Sequence, residues 1–410
     1  MKLNIVGGGF TGCVLALKAA QLGAEVTLFE ASNELGGIVR DLQVGEERFY
    51  NGCHYLDDNE WVQAIRTQLP AALIDFVHEY GSITELFGSQ EVAFDFAQPV
   101  INDTTKIDLV AAQTLGDRLV DRLSVYGKYS KALITWAERY GFLEQLHKDC
   151  AQGMQVPRIF FKARVAELIK LKAENLVIDQ LTGIPRSILN PHQDKATGFL
   201  PARGFTSFFS DIQRLLESSG VDVRLSSPIK PVLSETGKIE SYSRGQHFQS
   251  DRTIWCANPT ALLMKAGIGR LDSPYTDMYC ATALLDNVED ILPIYHQVFS
   301  NQSSIVRLFV YRLAGKNKVT IEGFANQQSE SELSVDLARY LEILKLPSLK
   351  SSIEMFKQRR YANFTPHDKS LIEQFNKNSS ILGMLPGAWH IYGRDQKINF
   401  MEGHLKGMFQ

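Results

Sequence analysis

The first thirty residues constrain this chain most. Residues 3–6 (Leu-Asn-Ile-Val) are a short apolar run of the kind that forms a buried parallel strand. Gly7, Gly9 and Gly12 follow directly as a G-x-G-x-x-G loop, with Phe10 and Thr11 between the last two. Each glycine has its own task. The first allows a tight turn, the second lets a pyrophosphate approach the backbone, and the third lets a helix pack close to the strand. Val14, Leu15, Leu17, Ala19, Ala20 and Leu22 then space a helix that stops at Gly23. Its free N–H groups and positive dipole end attract an anion. Residues 26–29 read as a second strand, which Glu30 closes. An acid about 20 residues past the glycines accepts hydrogen bonds from a ribose. Strand, loop, helix, strand and acid in this order predict an α/β, Rossmann-like, doubly wound nucleotide-binding domain.

The remaining composition narrows the function by exclusion. A chain of 410 residues is long enough for two or three domains. A net charge of −3 argues against a dedicated nucleic-acid binder. Cys13, Cys53, Cys150, Cys256 and Cys280 are scattered without a CxxC pair, which suits reduced thiols in a cytoplasm. Lys2 and the apolar residues after it imitate a signal peptide, but the glycines interrupt it. No stretch reaches the roughly 20 apolar residues of a membrane span. The expectation is a cytoplasmic protein with no integral membrane segment, a small-molecule substrate, no nucleic-acid partner, and room for a homodimer. His147, His247, His296 and His367 lack ligand spacing, so no metal site is expected.

Past Glu30 and Ala31, a glycine pair at Gly36 and Gly37 precedes Ile38. Gly52-Cys53-His54 follows, then Tyr55-Leu56, a polar turn and Trp61. The glycine pair resembles that of FAD-dependent flavoproteins of the amine-oxidase and protoporphyrinogen-oxidase superfamily. The Gly52-Cys53-His54 segment resembles UDP-galactopyranose mutases most. The resemblance implies FAD as cofactor, along Gly7, Gly9, Phe10, Thr11, Gly12, Glu30, Ala31, Gly36, Gly37 and Ile38. It places His54 against the flavin ring. Further on it implies main-chain contacts from Ile229 to the adenine, a small residue at Ala257 beside the dinucleotide, and Gly393-Arg394 at the pyrophosphate or ribityl chain. It also implies a terminal-helix N-terminus near Met401. Arg307 is the counterpart of an arginine facing a sugar diphosphate. Tyr311, four residues on, shares its face in an unbulged strand.

Three parts are expected. Residues 1–100, 198–270 and 385–410 form a discontinuous FAD-binding domain. Residues 104–182, with leucines at helical spacing, form an inserted helical cap. Residues 271–384 form an antiparallel β substrate domain. Locally, 70–77 reads as helical, 92–96 as a strand, and 389–392 as a strand before the last helix. Residues 99–102, Pro157-Arg158 and the 361–366 stretch match the mutase substrate parts loosely. The predicted function is an FAD-dependent oxidoreductase in which a small polar substrate, nucleotide sugars included, passes a hydride to flavin N5. His54, Arg307 and Tyr311 are its candidate catalytic residues. The alternative is a mutase-like sugar ring isomerase that uses reduced FAD without net redox. A flavin fold without catalysis would show degenerate cofactor motifs, and these are intact.

Overall fold

The computed structural model describes residues 1–77, 79–88, 91–93, 116–156, 173–174, 181, 197–289, 291, 293–325 and 327–409. The organising layer is a four-stranded parallel sheet. It contains β1 (Lys2–Val6), β2 (Glu25–Phe29), β10 (Asp222–Arg224) and β14 (Arg252–Trp255) in the order β10-β2-β1-β14. Ile5 stands opposite Leu28 on one side and Ile254 on the other, and all three are fully buried. Residues in register share a face, so these three form one buried apolar row across the sheet. Helix α1 (Phe10–Gln21) returns from β1 to β2. The chain reaches β2 on one side of β1 and β14 on the other. That reversal opens a crevice at the carboxyl end of β1, where open α/β sheets bind ligands.

Smaller elements surround this layer. The hairpin of β3 (Asp41–Val44) and β4 (Glu47–Tyr50) follows the glycine pair. β5 (Leu56–Asp57), β6 (Leu73–Val77) and β9 (Thr197–Pro201) form a three-stranded sheet, with α2 (Glu60–Gln68) between β5 and β6. The helix expected over 70–77 is therefore a strand. Its backbone pairs antiparallel with β9, more than a hundred residues away, and that pairing overrides local spacing. β11 (Lys230–Leu233), β12 (Ile239–Ser243) and β13 (Gln246–Phe248) form a small antiparallel sheet before β14.

The second large layer has seven strands in the order β19-β15-β18-β17-β16-β7-β8. They are β7 (Glu79–Thr84), β8 (Glu91–Ala93), β15 (Tyr275–Leu284), β16 (Ile294–Phe299), β17 (Ile305–Leu313), β18 (Lys316–Phe324) and β19 (Glu354–Ala362). This sheet is mixed and not purely antiparallel, because β7 runs parallel to β16. β7 and β8 belong to it although they lie within residues 1–100. The strand expected over 92–96 is β8 for its first two residues, and 94–96 lie outside the described residues, as do 99–102 and Pro157-Arg158.

One face of the large sheet packs on α8 (Glu330–Ile343). Leu308, Val310, Val319 and Ile321 meet Leu333, Leu337 and Leu341 there. The described part of the inserted block contains α3 (Leu119–Ser124), α4 (Ser130–Ala137) and α5 (Cys150–Gly153), with 3-10 turns between them. It packs on the other face, where Trp136 meets Phe299 and Tyr140 meets Phe324. Helices α6 (Phe205–Ser218) and α7 (Thr260–Lys265) belong to the parallel-sheet region, and α9 (Pro366–Asn378) starts with a Thr365 capping box.

The chain ends in α10 (Arg394–Lys406). No strand forms over 389–392, and the helix starts at Gly393-Arg394. Met401 is thus not near its N-terminus; it lies eight positions along, buried at 2% exposure against α1. Gly393 has φ 106, which breaks the preceding segment and frees α10 to begin there. Among the described residues no helix is long and apolar enough to cross a membrane.

Candidate functional site

The glycine loop is built by close contacts. A Cβ on Gly12 would lie 1.9 Å from the Gly7 carbonyl oxygen, so only glycine lets α1 sit this close to β1. Gly7 has φ 106, and a Cβ there would meet the Ala257 nitrogen at 3.0 Å. Gly9 differs. A Cβ on it would have only the Gly37 Cα, 4.0 Å away, so space lies open in front of it. Gly9 and Gly36 form a parallel bridge, and Gly36 N donates to Gly8 O at 2.9 Å. The two glycine elements of the sequence are thereby one surface. Gly9 is the N-cap of α1 and offers no side-chain cap, which leaves the N–H groups of Phe10, Thr11 and Gly12 for another acceptor.

Glu30 is bound into this surface. It accepts from Gly8 N at 2.7 Å and from Ser32 N and Oγ at 2.8 Å each. The next turn approaches it, since Ser227 N donates to Glu30 O and Ser226 N to Ser32 O. That turn leads to Ile229, which packs against the same apolar cluster as Ala257. Ala31 is exposed, and Ile38 is 69% exposed, beside the glycine pair.

Helix α10 stands beside α1. The Arg394 guanidinium lies 5.1 Å from the Phe10 ring centre. It also donates to Tyr55 O at 2.8 Å and faces Asp57 Oδ2 at 3.4 Å. Arg394 thereby holds the segment that carries His54. His54 is partly buried, its N–H donates to Gly52 O, and Tyr55 packs edge-on against Tyr295 of β16 at 5.4 Å. Gly393 caps α10 with no side-chain bond, so two uncapped helix N-termini lie together. Asp395, in the first turn of α10, is pushed up to about 7 by burial and by Asp57 beside it, against the pull of Arg394.

The large sheet presents a row of polar residues to this region. Register pairs Ser82 with Gln297, Gln297 with Arg307, Arg307 with Glu322, and Glu322 with Cys280. Paired residues share a face. On one side of the row, Tyr295, Phe309 and Tyr311 join the core of the nucleotide-binding unit; on the other, Phe299, Phe324 and Met278 join the core of the helical block. Arg307 Nη1 meets Glu322 Oε2 at 3.1 Å, with 12% and 1% side-chain exposure. Arg307 also lies 3.5 Å from Gly153 O. Gly153 in turn packs under the Tyr392 ring, where a Cβ would stand 2.7 Å from ring carbon. Arg307 and the start of α10 are thus linked through α5. Tyr311 shares the face of Arg307 but is closed off at 1% exposure. Its hydroxyl takes the Tyr50 N–H at 2.9 Å and meets Thr320 Oγ1 at 3.0 Å, which fastens β4 to the large sheet.

Sequence reasoning missed Glu322, Gly153 and Tyr392. Only the alternation of β18 signalled Glu322, and nothing local signalled its partner. Among the described residues no group of three His, Cys, Asp or Glu could hold a metal ion.

The N-terminal unit defines a class: residues 5–69 match the family described as NAD(P)-binding Rossmann-like domain. The fold is similar to that of reduced UDP-galactopyranose mutase, at a TM-score of 0.67 and 13% identity over 99% of this chain and 95% of that one. It is shared with a putative protoporphyrinogen oxidase from Exiguobacterium sp. 255-15, at 0.59 and 15% identity over 100% and 97%. Putrescine oxidase bound to putrescine matches at 0.57 and 15% identity over 100% and 99%. No curated protein matches the sequence.

Proposed function

We propose that this chain is an FAD-dependent oxidoreductase acting on a small polar substrate. The observation that carries this reading is the meeting of two glycine-capped helix N-termini, α1 and α10, over an open glycine surface. An anion is stabilised at such ends. The residues fit the cofactor: space stands open before Gly9, and Glu30 keeps lone pairs for a ribose hydroxyl. Gly7, Gly9, Phe10, Thr11 and Gly12 would hold the pyrophosphate, with Gly36, Gly37 and Ile38 alongside. Ala31, Ile229 and Ala257 would border the adenosine side, and Gly393 and Arg394 the ribityl side. Met401 would act only through packing α10 on α1. FAD, when bound, supplies a two-electron acceptor.

The protein's part is to bind, orient and keep water out. His54 stands beside the start of α10 and the Tyr55–Tyr295 contact, so it would border the substrate face of the flavin. Arg307 and Glu322 would orient a polar substrate from the large sheet. Tyr311 would position β4 and not touch substrate. A mutase-like reading without net redox is favoured by the 0.67 likeness and the Gly52-Cys53-His54 segment. Against it, Glu322 already neutralises Arg307, which weakens its use for a sugar diphosphate.

The test is an absorbance spectrum of the purified protein, then anaerobic reduction with and without UDP-sugars. A flavin band bleached by a substrate and recovered with an acceptor supports the oxidoreductase. Turnover only in the reduced state, without net electron flow, supports the mutase. No flavin band and no FAD uptake sinks both.

A further inference from the structure

Arg394 stands between two carboxyl groups and bonds to one of them. Its Nη2 donates to the Tyr55 carbonyl at 2.8 Å and lies 3.4 Å from Asp57 Oδ2. On its other side Nε faces Asp395 Oδ1 at 3.8 Å. That gap is too long for a hydrogen bond. Both atoms are buried, and neither has a hydrogen-bond partner. A buried donor and a buried acceptor thus stop about 1 Å short of bonding distance. An ionised carboxylate draws a guanidinium across such a gap, whereas the pull of a neutral carboxyl is far weaker.

Asp395 is the second residue of α10, where the helix dipole ordinarily favours an ionised carboxylate. Its surroundings act the other way. Its side chain is 15% exposed, against 40% for Asp57. One guanidinium neutralises one carboxylate, and here it sits closer to Asp57. Burial, and Asp57 beside it, raise Asp395 to about 7. Among the described residues the charged groups facing it are Asp57 from β5 and Arg394 from its own helix. Asn59, the N-cap of α2, adds an uncharged amide, and the rings of Phe10 and Trp61 flank the guanidinium without charge. The segment held by Arg394 has few ladder bonds of its own. β5 pairs with β9 at two positions only, Leu56 with Phe199 and Asp57 with Gly198.

We propose that Asp395 is a positioning residue, a proton-controlled latch acting through Arg394. When Asp395 carries its proton, Arg394 stays on Tyr55 and Asp57 and holds the segment of His54 against α10. When the proton leaves, Asp395 draws the guanidinium through Nε, and the grip on Tyr55 loosens. The latch does not depend on what the site binds. That it positions His54 beside a cofactor rests on the flavin reading above.

The test is hydrogen–deuterium exchange of the full-length protein at about pH 5.5 and about pH 8, corrected for free-peptide rates and read on the peptide over residues 52–58. One pH unit above the titration point about a tenth of the molecules keep the proton, so wild type should lose protection there by up to about tenfold. Peptides of β17 and β18 should not change. Asp395→Asn stays neutral and should keep the acid-pH protection at both values. Asp57→Asn removes the neighbouring carboxylate, so the midpoint of its protection loss should move to lower pH. Equal protection of 52–58 in wild type at both values overturns the proposal. So does a loss in Asp395→Asn as large as in wild type. An equal loss over the whole chain overturns it too, because that is a change of global stability. Where Asp395→Asn does not fold, an unmoved midpoint in Asp57→Asn overturns it alone. The same samples are read by absorbance after adding FAD; failure to take it up overturns the flavin reading and leaves the exchange result to decide the latch.

Discussion

Arg394 lies over the Phe10 ring at 5.1 Å, and eight residues further along each helix Lys18 Nζ meets Glu402 Oε1 at 2.8 Å. Equal spacing on both helices means that α1 and α10 run side by side in the same direction. Parallel helix dipoles repel, so the arrangement gains from an anion at the shared N-terminal end. Met401, Ile398 and Leu405 hold the pair together through the core.

The glycines of the loop separate into two kinds. Gly12→Ala drives a Cβ into the Gly7 carbonyl and should destabilise the apoprotein itself, lowering its melting temperature and its FAD uptake. Gly9→Val meets no protein atom within 3.4 Å on its first carbon and should leave apoprotein melting near wild type while abolishing FAD uptake. Melting curves of both apoproteins beside their flavin absorbance test the distinction. Full flavin content in Gly9→Val would refute the loop assignment.

Arg307 and Glu322 form a buried pair at the seam between two apolar cores. Removing one partner deprives the other buried charge of this ion pair and should cost about 3–5 kcal/mol. The double variant Arg307→Met/Glu322→Gln should recover part of that loss. Urea unfolding of the four proteins in a double-mutant cycle measures the coupling. Additive losses would mean that the pair contributes nothing.

Gly153 and Cys150 both join the inserted block to Tyr392. Gly153→Ala places a methyl 2.7 Å from the ring and should destabilise by about 1–3 kcal/mol. Tyr392→Ala in the same chain should relieve the clash, although it opens a cavity and loses the bond to Cys150 at 3.0 Å. Limited proteolysis of the inserted block reads whether its docking depends on this contact. Equal cleavage in wild type and Gly153→Ala would show that it does not.

Asp395 gives a pH dependence of definite sign. Its folded pKa is raised from the ordinary 3.8 to about 7, by burial and by Asp57. The folded state therefore holds a proton that the unfolded state has lost between those values. Stability from this group is fully present below about 4, falls as pH rises toward 7, and is level above that. Asp395→Asn should flatten the slope of melting temperature against pH between 4 and 7. An unchanged slope would exclude Asp395 as its source.

If His54 borders the cofactor as proposed, His54→Ala should retain FAD and lose most turnover, because Arg394 holds that segment through the Tyr55 carbonyl and not through His54. Unchanged turnover would return His54 to a packing role.

The Rossmann-like N-terminal unit was legible along the chain. Gly7 to Gly12, the α1 spacing and Glu30 act within thirty residues, and their chemistry is local: a tight turn, a close approach, a hydrogen-bond acceptor. β17 and β18 were legible for the same reason, as alternating runs joined by a short turn. The rest depends on packing between distant elements. β6 reads as a helix until β9 pairs with it. Tyr311 looks available on its strand until Tyr50 and Thr320 close over its hydroxyl. Arg307 looks like a free cation until β18 brings Glu322 alongside. The start of α10, and with it the two adjacent N-termini, depends on contacts such as Lys18–Glu402, 384 residues apart in the chain. Spacing along a chain reports neighbours within a few residues, whereas charge neutralisation and burial are set by whichever distant element packs there.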